Sequence, residues 1–275
     1  MLLNDIKPSP FLAEFIRLYR IVDFNFPDHV NLPSKAYPPR PEHCLQFYPK
    51  DTERVTYPNN NTSISNKRST LIGQHTVVNT RHVGKEFLSI QVVFRPGALF
   101  RITGLKAVEL SNVYMDAEDI LGRETCLINE KLYSAKSYGQ MIAIIELYLG
   151  RLIEKVKKKQ HPVDQISMLM MQTESYSLDF FIKQSFLCHR QFDRKFLERV
   201  GISPKQFLQV IRFDKAFRMK NRYPEKDWLT IALHCGYYDY QHLVKDYKEF
   251  TGYTPCAFAD IESNAPERSF GDIEV

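Results

Sequence analysis

Nowhere does the chain run 18 apolar residues without a charge, so nothing in it reads as a bilayer-spanning helix. Its first twenty residues carry Lys7, Glu14, Arg17 and Arg20 where a secretion signal needs an unbroken apolar stretch. No membrane association is expected, and a cytoplasmic location is. The five cysteines, Cys44, Cys126, Cys188, Cys235 and Cys256, are odd in number and lack C-x-x-C spacing, which argues against a disulfide framework and a thiolate zinc site and fits a reducing compartment. Also missing are G-x-x-x-x-G-K followed by Ser or Thr, G-x-S-x-G and G-x-G-x-x-G, so nucleotide hydrolysis and acyl transfer have no visible apparatus. Glycine is scarce, 11 in 275 residues, while 15 Tyr, 19 Phe and 44% hydrophobic residues exclude a fibrous or largely disordered chain. A chain of this length with sizeable cores is expected to form two domains.

Two textures divide it. Apolar residues alternate in Val22-Asp23-Phe24-Asn25-Phe26 and in Leu88-Ser89-Ile90-Gln91-Val92-Val93-Phe94, with turns at Pro38-Pro39-Arg40-Pro41 and Asn59-Asn60-Asn61, a pattern of short strands in a barrel or sandwich. From Ser137 the period becomes helical: Met141, Ile142, Ile145, Tyr148, Leu149, Leu152, Ile153 and Val156 form an apolar stripe ending in Lys157-Lys158-Lys159. His161-Pro162 then breaks the pattern. The expected division is a β-rich, cupin-like or barrel/sandwich domain over 1–136, a connecting helix and linker over 137–160, an all-α domain over 161–258 and an acidic tail over 259–275. Residues 174–258 hold 14 Lys/Arg against 10 Asp/Glu, and the tail holds one against five. That excess is suggestive of an anionic partner and leaves the placement of the charges to decide.

The second half repeats itself at an offset of 51 residues. Glu198/Glu249, Gly201/Gly252, Pro204/Pro255 and Phe207/Phe258 are identities, and upstream the same offset pairs Leu178 with Leu229 and Ile182 with Leu233. Each unit has a first helix (178–184 or 228–235), a short turn and a second helix that stops at Gly, which is helix-turn-helix spacing. Ser203-Pro204 with Gln206 starts a connecting helix over 204–221. In the second helices Phe192, Phe196 and Val200, or Leu243, Tyr247 and Phe250, share a buried side. Arg190, Asp193 and Arg194, or Gln241, Lys245 and Lys248, face outward. Such groups reach base edges and phosphates in a major groove, and two equivalent helices on a rigid connector can enter successive grooves.

Residues 163–258 resemble the DNA-binding domain of AraC-type transcriptional regulators. Ile202-Ser-Pro-Lys-Gln-Phe-Leu-Gln-Val-Ile-Arg-Phe213 and Trp228-Leu-Thr-Ile-Ala-Leu-His-Cys-Gly-Tyr-Tyr-Asp-Tyr-Gln-His-Leu-Val-Lys-Asp-Tyr-Lys-Glu-Phe-Thr-Gly-Tyr-Thr-Pro255 look like its two signature segments. The resemblance implies base readout from His189, Arg190, Asp193 and Arg194 in the first unit and from Tyr240, Gln241, His242 and Lys245 in the second. Ser185 stands where the first turn commonly has Gly, and Cys188 where Ser usually caps. More weakly, Leu71-Ile-Gly-Gln-His, Val92-Val-Phe-Arg-Pro-Gly-Ala98 and Asp119-Ile-Leu-Gly122 resemble the β-rich domain found on one branch of these bacterial regulators, where such domains sense ligands or pair subunits. Double-stranded DNA is the expected partner. RNA polymerase and a small-molecule effector are further candidates, and the N-terminal half is a candidate homodimer surface.

His43-Cys44, His75 and His82 offer a cupin-like barrel possible metal ligands, yet no H-x-H pair or facial-triad spacing is present, so no metal and no cofactor are expected. Arg95 in Phe94-Arg95-Pro96-Gly97-Ala98 reads equally as a ligand-binding group or a loop-fixing donor. Cys188, beside His189 and Arg190 at a helix N-terminus, has the setting of a reactive thiol but serves more simply as a weak cap. Met168-Leu169-Met170-Met171 reads as core packing. The expectation is thus a sequence-specific transcription regulator and not an enzyme. Its rivals are a cupin-like metal enzyme and a protein-interaction scaffold, each carrying a helix-turn-helix appendage.

Overall fold

The computed structural model describes residues 2–27, 32, 34–57, 63–173 and 177–265. The Asn59-Asn60-Asn61 turn and residues 266–275 of the acidic tail lie outside them. In the N-terminal half, strands β1 (Leu2–Ile6), β2 (Ile16–Asn25), β3 (Ser34–Tyr37), β4 (His43–Phe47), β5 (Arg54–Thr56), β6 (Ser63–Ile64), β7 (Ser69–Ile72), β8 (Asn79–His82) and β9 (Glu86–Phe94) precede helix α1 (Ala98–Thr103). A 3-10 turn at Ala107–Leu110, strand β10 (Tyr114–Asp116) and helices α2 (Ala117–Leu121), α3 (Glu124–Tyr133) and α4 (Tyr138–Glu154) follow. The first half is therefore β-rich to about residue 95 and largely helical from residue 98, a narrower strand region than 1–136.

Among the described residues the strands form two antiparallel sheets, ordered β1-β2-β9-β4-β7-β10 and β3-β8-β5-β6. Register sorts the larger sheet into rows. Ile6, Tyr19, Val92, Leu45, Leu71 and Met115 stand side by side across its six strands, and so do Asp5, Arg20, Gln91, Gln46, Thr70 and Asp116 in the next row. Because side chains alternate along a strand, the apolar row faces one way and the polar row the other. The apolar row packs under α1, α3 and α4. The polar row is buried for most of its length as well, so the alternation in β9 separates a hydrophobic core from a polar interior, not from water.

Helix α4 starts where Ser137 accepts a hydrogen bond from the Gln140 N–H. Met141, Ile142, Ile145, Tyr148, Leu149 and Ile153 then face the chain's own sheet. Leu147, on the opposite side, is 68% exposed.

The C-terminal half consists of α5 (Pro162–Gln172), α6 (Leu178–Gln184), α7 (His189–Val200), α8 (Pro204–Arg222), α9 (Trp228–His234), α10 (Tyr240–Thr251) and α11 (Pro255–Ser263). His161 caps α5 in a reciprocal box with Asp164. Met170 is buried in the core and Leu169 and Met171 pack against it, the structural role expected of that run. The last helix continues through Ser263, past the expected end of the domain at 258. One core joins the bundle around Phe192, Phe196, Phe207, Phe213, Leu243 and Tyr247, and it takes in Val78 from the N-terminal half.

The two faces of α4 give a direct expectation. Leu149→Asp places a charge in the core beneath the sheet and should cost upwards of 3 kcal/mol, whereas Leu147→Asp should change stability by less than about 0.5 kcal/mol. Urea unfolding of the two variants measures this, and equal effects would show that α4 does not pack as described.

Candidate nucleic-acid interface

The two units are built alike. Ser177 and Asp227 cap α6 and α9 through side-chain oxygens that accept from the N–H groups of Phe180 and Thr230. The second helices α7 and α10 end at Gly201 (φ 97°) and Gly252 (φ 80°), left-handed stops that release the chain to Pro204 and Pro255. Phe192, Phe196 and Val200 in one, and Leu243, Tyr247 and Phe250 in the other, are fully buried. The connector α8 buries Phe207, Val210, Ile211, Phe213, Ala216 and Phe217 between the units. Arg212 of α8 donates to Asp246 of α10 (2.8 Å) and lies over the Tyr237 ring, pinning the second unit to the connector.

The repeat's register needs correction at the turns. The offset is 51 for the second helices, but α6 and α9 align at an offset of 50: Ser177 with Asp227, Phe181 with Ile231, Ile182 with Ala232. The second turn is one residue longer. Pairing Leu178 with Leu229 and Ile182 with Leu233 was out of step, and Leu229 and Leu233 are 52% and 56% exposed while Ile231 and Ala232 are buried. The same shift moves the left-handed position of the first turn from Ser185 to Phe186. Gly236 has φ 80°, and its counterpart Phe186 has φ 56°. Ser185 keeps φ −78° and closes the turn by donating from Oγ to the Ile182 carbonyl.

Of the residues expected to read DNA, His189, Arg190, Asp193 and Arg194 of α7 and Gln241, His242, Lys245 and Lys248 of α10 are all exposed, on the sides away from the buried aromatics. Tyr240 is half-buried against the core. Two of the set hold acids of their own unit: His189 lies 3.5 Å from Asp179, and His242 Nδ1 lies 2.9 Å from Asp239. Cys188 caps α7 while Gln191 Oε1 accepts from its backbone N–H. The sequence does not single out Phe186 and Tyr238, which flank these helix starts and are 94% and 87% exposed. Only the turn register makes them visible.

At their other ends both helices are held by the N-terminal half. His43 Nε2 donates to the Val200 carbonyl (3.0 Å), Ser111 Oγ donates to the Gly201 carbonyl (2.8 Å), and the Val78 N–H donates to the Phe250 carbonyl (2.8 Å). The last carbonyls of a helix have no partner within it, so these bonds satisfy groups that would otherwise be orphaned. Burial pushes His43 down to about 4, against the bond to Val200. The ring is neutral and free to donate from Nε2.

The other histidines are occupied separately. Nδ1 of His75 lies 3.0 Å from the Gly73 carbonyl and Nε2 lies 2.8 Å from the Tyr57 hydroxyl, while His82 meets Thr56. Among the described residues no three His, Cys, Asp or Glu side chains gather as a metal site. Arg95 fixes its loop through the backbone, its N–H donating to the Phe15 carbonyl and its own carbonyl accepting from Ala98. No helix among the described residues is long and apolar enough to cross a membrane.

Residues 183–260 match a family model described as a helix-turn-helix domain, of the AraC type. The C-terminal half thus carries an AraC-type helix-turn-helix domain. Among solved structures it is similar over nearly its whole length to ToxT from Vibrio cholerae. The complex of ToxT with (E)-4-(8-methylnaphthalen-1-yl)but-3-enoic acid covers 89% of this chain and 98% of that one at 10% identity and a TM-score of 0.50. The unsaturated-fatty-acid-bound form of ToxT covers 94% and 97% at 14% identity and a TM-score of 0.49. The DNA-binding domain of AdpA in complex with a target DNA covers 38% of this chain and 95% of that one at 20% identity and a TM-score of 0.36. No curated protein matches the chain. The ToxT likeness establishes a shared two-part fold, a β-rich N-terminal region followed by helices.

Burial of neutral His43 gives stability a pH dependence. The folded-state pKa lies below the ordinary 6.5, so between about pH 6.5 and 4 the unfolded chain binds more protons. Stability should be complete above that window and fall by on the order of 3 kcal/mol toward its acid end. Burial holds His75 down to about 4 as well, so His43→Gln should reduce this slope in pH-dependent thermal unfolding without abolishing it, and an unchanged slope would remove His43 from the account.

Proposed function

We propose that the protein recognises a specific duplex sequence with α7 and α10 in successive major grooves. The observation that carries this reading is the duplication itself. Two equally long helices bury the same aromatic side, stop at equivalent left-handed glycines and turn their exposed forked, amide and cationic groups outward from one buried connector. Arg190, Arg194, Gln241 and Lys245 have the chemistry to pair with base edges. Lys248 and the two histidines suit phosphates, and Asp193 suits an amino group on cytosine. With their C-terminal ends held by the first half, the helices present their N-terminal ends, where the dipole favours anions. On this reading the protein is not an enzyme and acts in the cytoplasm.

The first half, in the same proposal, governs this presentation. An effector would enter the cleft lined by Tyr37, Arg40, His75, Arg81 and Gln91, whose arginines favour an anionic group. The cleft has room for about 20 Å3, a single water, so any larger ligand must widen it. Pairing of two chains through the N-terminal half falls to the outer face of α4 at Leu147, since Ile145 and Leu149 are spent on the chain's own core. Light scattering of the wild type and Leu147→Glu tests that pairing: loss of a dimer in the variant supports it, and a monomeric wild type rejects it.

The DNA reading is tested on a duplex selected from a random library. Arg194→Ala and Lys245→Ala should each weaken binding, by about 1–3 kcal/mol with relaxed preference at one base pair where the contact is to a base, and evenly over all sequences where it is to a phosphate. Six phosphate contacts would make log K fall with log salt at a slope of about −5. Unchanged affinity in both variants would reject the helix assignment, and a flat salt profile would favour the scaffold.

A further inference from the structure

Phe186 occupies a conformation its chemistry disfavours in a place where it packs on nothing. Its φ of 56° lies in the left-handed region, where a bulky side chain is strained, and the equivalent position of the second unit is Gly236. Its ring is 94% exposed and belongs to no hydrophobic cluster among the described residues. Neither burial nor a backbone bond special to Phe accounts for it, since the bond it makes, from its N–H to the Lys183 carbonyl, any residue but proline would make. Residues held in such regions concentrate at functional sites.

Its surroundings indicate what it meets. Phe186 stands two residues ahead of Cys188, the cap of α7, and a recognition helix enters the major groove by its N-terminal residues. Lys183 on one side and His189 and Arg190 on the other are exposed, with Asp179 paired to His189. The second unit also exposes an aromatic here, at a different turn position: Tyr238, 87% exposed, stands one residue ahead of Asp239, the cap of α10. An exposed aromatic therefore precedes both recognition helices despite their different turn lengths. A mostly cationic setting at the mouth of a helix that enters a groove suits DNA better than an apolar protein surface, and the apolar feature of a major-groove base edge is the thymine methyl.

We infer that Phe186 is a specificity-determining residue that packs against a thymine methyl beside the entry point of α7. This rests on the DNA-binding reading above and adds a preference that the outward face of α7 does not supply. Left-handed strain in the free protein is retained because glycine, which would relieve it, has no side chain to make the contact.

The test uses the full chain and a duplex selected by the wild type, with each thymine replaced in turn by deoxyuridine, which lacks only the methyl. One such replacement should weaken the wild type about 3- to 5-fold, the effect of losing one apolar methyl contact. Phe186→Gly should bind the unmodified site more weakly by at least that factor, lose sensitivity to that one replacement, and melt about 2 °C higher because the turn relaxes. Phe186→Asn, which also tolerates left-handed backbone, should show the same loss of methyl sensitivity. Phe186→Gly binding as tightly as the wild type would overturn the inference and leave the ring to a protein partner. Equal sensitivity to every deoxyuridine in wild type and variant would overturn it in favour of a sugar contact. A wild type that selects no duplex would instead reject the DNA reading beneath it.

Discussion

The free carbonyls at the C-terminal ends of α7 and α10 are the points on which the molecule's arrangement turns. A helix cannot satisfy its last carbonyls, and here His43, Ser111 and the Val78 backbone satisfy those of Val200, Gly201 and Phe250. Such close approach needs glycine. A Cβ on Gly201 would lie 2.7 Å from Ser111 Oγ and 2.8 Å from the Ala107 carbonyl oxygen, and one on Gly97 would lie 1.9 Å from an Asp164 oxygen. That carboxylate in turn makes a two-pronged bond at 2.5 Å to Arg199 on the last turn of α7. The first half thus grips both second helices at the end opposite to the one they present outward.

A chain of buried charges continues from this grip between the two sheets and the connector. Glu42, just ahead of β4, meets Arg17 at 2.8 Å, Arg20 at 3.4 Å and Arg40 at 3.8 Å. Arg40 reaches Asp214 on α8 at 4.0 Å, and Asp214 pairs with Arg218 at 2.8 Å. Burial alone would raise the Glu42 carboxyl, yet Arg20, Arg17 and Arg40 hold it well below the usual carboxylate range. Such networks contribute little net stability relative to apolar packing, but removing one member leaves a charge stranded. They therefore fix geometry, here the relation of the polar interior of the first half to the connector between the two units.

The C-terminal helices were largely legible in the sequence because their ends are written in it. Ser177, Ser203, Asp227 and Thr254 cap, Pro204 and Pro255 begin, Gly201 and Gly252 stop, and the buried aromatics recur at helical spacing. The turn register was not, because a one-residue insertion hides where leucines occur at both possible spacings: Leu229 and Leu233 match the pattern of a buried stripe as well as Trp228, Ile231 and Ala232 do. Only packing on α8 chooses between them. The polar row through Arg20, Gln91 and Gln46 was illegible for a related reason, since alternation reports two faces and does not say that both are enclosed. An apolar stripe such as that of α4 fits a neighbouring sheet and a second chain alike, so only its packing shows that it faces the chain's own sheet. The outward faces of α7 and α10 were legible from the helical period, whereas the half-burial of Tyr240 was not, because it depends on how α10 packs.

The two units are not equivalent in what holds them, and this asymmetry follows from the same contacts. Besides the carbonyl of Val200, the first half touches α7 through α1 and the 3-10 turn, with Phe100 beneath the Arg199 guanidinium. The second unit is tied mainly to the connector, through Arg212 with Asp246 and through Phe213 against Tyr247 and Phe250. To the first half it offers the Phe250 carbonyl and Glu262, which Lys35 of β3 approaches to 3.9 Å. Two helices that share a duplex must keep a spacing set by its helical repeat. In this arrangement α7 is tied directly to β4 and the 3-10 turn, and α10 chiefly to α8. His43 and Ser111 make this tie at the C-terminal end of α7, away from its exposed N-terminal residues.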